Sequence, residues 1–268
     1  MRIGAHLPLT QPRPAVAAPS ATTTTPLPEP VDQALLDAGR EVALLPILDP
    51  AVCATVMMAS VIGGMGGGAG LAAAAPTLKA VLDGRVAQVN YDFDRQGMDA
   101  RGTVDERTVA ETVRPVGSDR VRLFGRFGAV QENILVKLTD HGLRLTGKAN
   151  GLEIDLQYSL GWQNRQVDQN PLPGQAQTWC DVRGTVGGLP YKAQASLAPS
   201  LERGDGLAQV LVEGQLGDQK INKSYALRTD PEIERVVMEG SGQVAGAEQS
   251  LRVELGLAAV GMEAFLAG

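Results

Sequence analysis

The chain has 268 residues and a formal net charge of −6, which argues against a general nucleic-acid binder because phosphate affinity needs clustered Lys and Arg. The same charge disfavours electrostatic docking to anionic lipid. Aromatic residues make up only 4% of the chain, whereas Gly, Ala and Val are abundant, so the core has to be built from small side chains.

Residues 1–30 are rich in proline and threonine, and their charges are Arg2, Arg13 and Glu29. Such a segment buries too little apolar surface to offset the entropy of ordering it, so we predict a disordered leader that serves as a linker rather than as a docking or secretion tail. The leader lacks the basic start, apolar stretch and cleavage site of a secretory signal peptide. The compartment therefore stays open between the cytoplasm and export by a non-Sec route.

Residues 31–84 form a predicted helical region. Asp32 can cap a helix whose apolar residues keep helical spacing as far as Pro46 or Pro50. We expect one more short helical turn at 78–82 to end the region.

The uncharged, Gly/Ala-rich stretch 51–75 is long enough for a membrane span, which needs about 20 apolar residues. However, the glycine run within 63–70 would break a helix there. This favours a buried helix or helix–loop–helix covered by protein over membrane insertion.

A short sequence motif recurs along the rest of the chain and predicts a series of hairpins. Its copies lie at 100–107, 123–130, 145–152, 182–189 and 212–219, and a sixth, degraded copy begins at Met238. Each of the first five contains a two-residue turn pair flanked by residues that alternate between apolar and polar. In each, a glycine precedes the turn by three residues on the apolar face: Gly102, Gly125, Gly147, Gly184 and Gly214. Such a belt of glycines indicates a place where the sheet bends or where another element approaches closely.

These hairpins predict a mainly β protein, with an antiparallel up-and-down meander of about 12 strands over residues 85–258 and a tail at 259–268. A sheet with one apolar face must wrap around something, pair with another sheet or close. The stretch 51–75 is the apolar element left to fill it. We therefore predict a strongly curved or closed barrel or half-barrel, with the N-terminal helical region packed in or against it. The alternative is a sandwich folded at 163–177.

Strand alternation places Glu111, Glu132 and Lys223 on the apolar face. Buried charge is unfavourable unless it is paired, so these side chains lie either at the rim, which the sequence favours, or in a ligand pocket. The residues with which the inner face would bind a ligand are Glu132, Tyr158, Tyr191 and Lys223.

Cys180 also faces inward, and Cys53 belongs to the apolar stretch 51–75 that would fill the barrel. A disulfide between them would fit this arrangement, but two free buried thiols are the more common outcome.

Residues for catalysis or metal binding are not recognised in the sequence. His6 and His141 do not form a pair, and the turn 92–97 has an arginine where a calcium loop needs a third oxygen ligand, which favours a solvated turn. No nucleophile with a basic partner and no phosphate-binding loop is found. We therefore expect no enzyme, cofactor or metal.

The predicted function is that of a non-enzymatic binding protein, which holds an apolar small molecule, lipid or acyl chain in the curved sheet when the N-terminal helical region moves aside. One alternative is a structural or assembly protein in which hairpins pair at their edges. Another is an effector that inserts residues 51–75 into a membrane.

Overall fold

A computed structural model of the chain describes residues 32–53, 76–94, 97–140, 142–160, 177–199, 208–230 and 235–256. The described residues form one helix, α1 (Gln33–Ala43), a 3₁₀ turn (Pro46–Leu48) and fourteen strands. The strands are β1 Thr77–Leu82, β2 Arg85–Asp94, β3 Gly97–Val104, β4 Arg107–Pro115, β5 Arg120–Phe127, β6 Val130–Thr139, β7 Gly142–Ala149, β8 Leu152–Leu160, β9 Gln177–Val186, β10 Leu189–Pro199, β11 Ala208–Leu216, β12 Gln219–Asp230, β13 Arg235–Val244 and β14 Ala247–Gly256.

Each strand pairs in antiparallel fashion with its neighbours in sequence, and β1 pairs with β14, so the meander closes into a barrel. At the seam, Leu78 of β1 lies opposite both Val253 of β14 and Val89 of β2. The predicted mainly β, closed up-and-down architecture is thereby confirmed. The sandwich alternative is wrong, because β8 and β9, which flank the segment 163–177, pair directly with each other.

The barrel begins at Thr77 rather than at residue 85, and the helical turn predicted at 78–82 is wrong. Leu78, Ala80 and Leu82 are buried and alternate with exposed Lys79 and Val81, which is the pattern of a strand with one face inward. Together with the division of the last predicted hairpin into β13 and β14, this strand raises the number from about 12 to fourteen.

The N-terminal region enters the barrel from the end at which tight turns join the strands. Asp32 caps α1 by accepting a hydrogen bond from the Ala34 N–H, as predicted. Gly39 of α1 lies against Leu189 and Leu216, which flank two of these turns. Glu41 forms an ion pair with Arg85 at the same end.

After α1, residues 44–53, here called the plug, are almost all buried. The prediction that the helical region packs in or against the barrel is confirmed for this segment. Residues 54–75, like the leader 1–30, most of the loop 163–177 and the tail 259–268, lie outside the described residues. Within the described ranges, no helix combines the length and apolar character needed to cross a bilayer.

The five recurring glycines lie on the inner side of the wall, where each sits against the backbone of the preceding strand. A Cβ at Gly125 would lie 2.1 Å from the Ala110 carbonyl oxygen, and one at Gly184 would lie 1.9 Å from that of Asp155. Both glycines have positive φ, at +144° and +151°, which L side chains rarely adopt. The glycines thus permit a close approach of neighbouring strands that any side chain would prevent.

In the sixth copy of the motif, the position of the glycine relative to the turn differs from the prediction. The turn of the last hairpin is Ala245–Gly246, so the glycine three residues before it is Gly242. Gly240, with which the predicted copy was aligned, is a second glycine on the same inner face and also meets a carbonyl of β12.

Candidate functional site

Asp49 of the plug is held by the start of a short helical segment at 50–53. Its Oδ1 accepts hydrogen bonds from the backbone N–H of Ala51 (2.8 Å) and of Val52 (3.3 Å), as an N-cap residue does. This capping orients the carboxylate and leaves Oδ2 to face the barrel wall.

Asp49 Oδ2 accepts hydrogen bonds from two side chains of β12, the Lys223 ammonium and the Tyr225 hydroxyl, the latter at 2.6 Å. Lys223 also donates to Gln249 Oε1 at 2.9 Å, and Gln249 Nε2 donates to the Leu44 carbonyl at 3.0 Å. Lys223 and Gln249 flank Gly242 across β12, β13 and β14, so their polar ends meet over the missing side chain. The wall therefore binds the plug at its start, Leu44, and near its middle, Asp49.

Two tyrosines hold the middle of the plug. Tyr158 on β8 and Tyr191 on β10 both donate to the carbonyl oxygen of Leu48, at 3.1 and 3.2 Å. Burial is the main cause that raises the pKa of each phenol, so both remain protonated donors. We call Asp49, Lys223, Tyr225, Gln249, Tyr158 and Tyr191 the anchoring network.

The structure thus places three of the four predicted binding residues, Tyr158, Tyr191 and Lys223, inside the barrel, where they contact the plug. The rim position that the sequence favoured for Lys223 is wrong, because its side chain is 2% exposed and Asp49 supplies its counter-charge. Sequence reasoning missed Asp49, Tyr225 and Gln249. For Tyr225 and Gln249 the inward parity of their strands was an available signal.

The fourth predicted residue, Glu132 on β6, belongs to a second polar cluster. Glu132 and Glu111 of β4 flank Gly125 of β5 in register, and they are 2% and 6% exposed. The rim position is therefore also wrong for these two residues, since the glycine between them provides interior space for both carboxyl groups. We call Glu111 and Glu132 the acid pair.

Two ionised carboxylates can only accept hydrogen bonds, and no described residue outside the acid pair donates to either carboxyl oxygen of Glu132. Burial raises the pKa of Glu132 well above its usual range, and the charge of Glu111 raises it further. Burial also raises the pKa of Glu111, to about 7, and a hydrogen bond with Glu132 partly offsets this rise. Glu132 is thus the member that holds a proton more tightly, and its protonated carboxyl group donates a hydrogen bond to Glu111.

The surroundings of the acid pair are apolar. Its cross-strand neighbours Ala100 and Ala149 are buried, as are Val109, Val130 and Ile134 on the inner face, and Val113 is half-buried. Half-buried Tyr91 lies one strand beyond Ala100, and burial, followed by the charges of the acid pair, raises its pKa. The acid pair flanks Gly125 of β5, and Lys223 pairs with Gly242 of β13. In the strand order β5 and β13 are eight steps apart in one direction and six in the other, so the acid pair and Lys223 lie on nearly opposite sides of the barrel.

Cys53 of the plug and Cys180 of β9 are both free and buried, so the disulfide alternative is not observed. Burial, aided by the charge of Asp49, raises the pKa of the Cys53 thiol to about 12. Burial likewise raises the pKa of Cys180. Both thiols are consequently protonated and poorly nucleophilic near neutral pH.

The described residues contain no group of three or more His, Cys, Asp or Glu side chains that could hold a metal ion. His6 and His141 lie outside the described residues, as does part of the turn 92–97.

The chain is, by its geometry, a closed antiparallel barrel that encloses and anchors part of its own N-terminal region. Comparisons with protein-family models, curated proteins and solved structures find no match.

Proposed function

We propose that the barrel is a non-enzymatic binding protein that holds an apolar small molecule or acyl chain against the inner wall formed by β3–β7. The observation that carries this proposal is an asymmetry of the interior. The hydrogen bonds that Leu44, Leu48 and Asp49 of the plug form with the inner wall all go to strands between β8 and β14. None of these bonds involves the inner face of β3–β7.

The inner face of β3–β7 suits hydrocarbon. It is lined by side chains such as Val109, Leu123, Phe127, Ile134 and Leu145, all buried. Burial of each CH₂ group of a ligand contributes about 0.8 kcal/mol, so an acyl chain gains most of its binding free energy from such a surface.

The alternatives have less support. Each of the fourteen described strands is paired on both sides, so edge-to-edge assembly has no free strand among them. For membrane insertion, the described part of 51–75 is Ala51–Cys53, which is buried.

The proposal is tested by titrating the full chain with a neutral solvatochromic dye and with dodecanol, and by native mass spectrometry of the purified protein for co-purifying ligand. Ala149→Phe, which fills the inner wall beside Glu132, is expected to weaken binding of both probes. Ala110→Phe, on the exposed face of β4, is the matched control and should leave binding unchanged. Failure of the dye and of dodecanol to bind, with no co-purifying ligand, contradicts the proposal.

A further inference from the structure

We propose that the acid pair is the binding site for the cationic head of an amphiphilic amine, whose hydrocarbon chain lies along the inner face of β3–β7. This inference rests on the proposed function and names the ligand class. Two independent observations support it: the register that brings Glu111 and Glu132 together over Gly125, and the two buried oxygens of Glu132, to which no described residue outside the acid pair donates a hydrogen bond.

The balance of buried charge leaves the acid pair without a counter-charge. The buried charged side chains of the described residues are Asp49, Glu111, Glu132 and Lys223. Lys223 already forms an ion pair with Asp49 on the far side of the barrel. Buried carboxylates are unfavourable without a partner, and a bound ammonium group would supply both the charge and the donors that the acid pair lacks.

The spacing of the acid pair suits a primary ammonium group. Adjacent strands lie about 4.8 Å apart, so the backbones that carry Glu111 and Glu132 are separated by roughly 10 Å across β5. Because Gly125 has no side chain, the two carboxyl groups can extend toward each other over it. An ammonium group between them donates up to three hydrogen bonds, and the pair offers four oxygen atoms.

A metal ion fits this cluster less well than an ammonium. Calcium takes six to eight oxygen ligands and zinc prefers nitrogen and sulfur, whereas the described residues bring no third acid, histidine or thiol to the acid pair. Apart from the Tyr91 phenol, the neighbouring side chains are hydrocarbon, which matches the chain of an amphiphile rather than the water shell of a metal. An anionic head, such as a fatty-acid carboxylate, would be repelled.

The experiment compares dodecylamine, dodecanol and dodecanoate, which share one chain length, by displacement of the neutral dye below their critical micelle concentrations. A charge-assisted hydrogen bond forms with the ammonium but not with the alcohol, so we expect dodecylamine to bind at least about tenfold more tightly than dodecanol. Dodecanoate should bind most weakly. Glu132→Gln should remove the preference for the amine, so that dodecylamine then binds no more tightly than dodecanol.

The control is Glu153→Gln, which removes a carboxylate from the exposed face of β8 and should preserve the preference for the amine. If Glu132→Gln does not fold, as judged by thermal unfolding, Glu111→Gln removes a carboxylate from the same pair and carries the same expectation. Equal affinity for amine and alcohol in the unsubstituted protein overturns this inference but leaves the proposed function standing. Failure of every apolar probe to bind overturns both.

Discussion

Lys223 of β12 forms an ion pair with Asp49 of the plug, and the two side chains are only 2% and 1% exposed. The two residues are 174 positions apart in the chain. Each charge would be unfavourable in the barrel interior without the other, so the pair links the position of the plug to the stability of the wall.

The first prediction concerns this ion pair. Lys223→Met should lower the free energy of unfolding by about 3–5 kcal/mol, because it leaves the Asp49 carboxylate buried without a base. Lys192→Met, on the exposed face of β10, should change it by less than about 0.5 kcal/mol. The measurement is equilibrium unfolding in urea.

A second substitution distinguishes the ion pair from simple packing. Asp49→Asn in the Lys223→Met background removes the unpaired charge, so the double variant should be more stable than Lys223→Met alone. If the two substitutions add independently, the side chains are not coupled and the described contact is not formed.

The second prediction concerns the shared acceptor of Tyr158 and Tyr191. Each single Tyr→Phe substitution leaves the Leu48 carbonyl with one donor and should lower stability by about 1 kcal/mol. The double variant leaves this buried carbonyl without either donor, so its loss should exceed the sum of the single losses by about 1 kcal/mol or more. A double-mutant cycle in urea measures this coupling, and strict additivity would show that the two hydroxyls do not share the carbonyl.

The alternation of apolar residues and the turn pairs were sufficient to predict the hairpins, the inner face and the inward position of Glu132, Tyr158, Tyr191 and Lys223. They could not predict β1, because at the position three residues before its turn Ala80 replaces the recurring glycine. What identifies it as a strand is its pairing with β14, a contact between the first and last strands of the barrel.

The anchoring network was harder to predict than the fold. Asp49 lies between Pro46 and Pro50, where the sequence indicates the end of a helix and gives no sign of a buried acid. Its partner Lys223 is recognisable as inward-facing but not as paired, since pairing depends on closure of the whole barrel. Whether any of the four predicted residues binds a ligand stays a prediction.

The third prediction concerns the glycine belt. Gly184→Ala should lower stability by about 3 kcal/mol or more, because it combines a positive φ with a clash against the Asp155 carbonyl. Gly151→Ala is the matched control: Gly151 also has positive φ, but it lies in a turn with open space around it. The control should lose only about 1–2 kcal/mol. Equal losses would mean that close approach of the strands does not explain the belt.

The fourth prediction is a pH dependence that arises from Glu111, whose pKa is raised from 4.5 to about 7 by burial. Between these values the folded protein keeps a proton on Glu111 that the unfolded chain releases, so stability should fall as pH rises through this window. At about 1.4 kcal/mol per pKa unit, Glu111 contributes about 3 kcal/mol to the fall, and its contribution levels off above pH 7. Burial also raises the pKa of Glu132, so Glu132 adds a fall of the same sign, whereas Tyr91, whose pKa is raised above 10, stays neutral in this window.

Unfolding in urea at several pH values measures this dependence, and the difference between the unsubstituted protein and Glu111→Gln isolates it from other titrating groups. Glu111→Gln should remove the contribution of Glu111 to the fall between pH 4.5 and 7 and leave that of Glu132, whereas the exposed control Glu153→Gln should retain the whole fall. A fall of the same size in Glu111→Gln would assign it to another group.

The enclosure of the plug by the barrel is tested most directly by the reactivity of Cys53. In a Cys180→Ser variant, Cys53 remains as the one cysteine, and its alkylation at pH 8 can be followed in the folded protein and in urea. We predict that the folded protein reacts at least about 100-fold more slowly, because the thiol is buried and its pKa is raised to about 12. Alkylation of the folded protein at the rate of the unfolded chain would show that the plug lies outside the barrel.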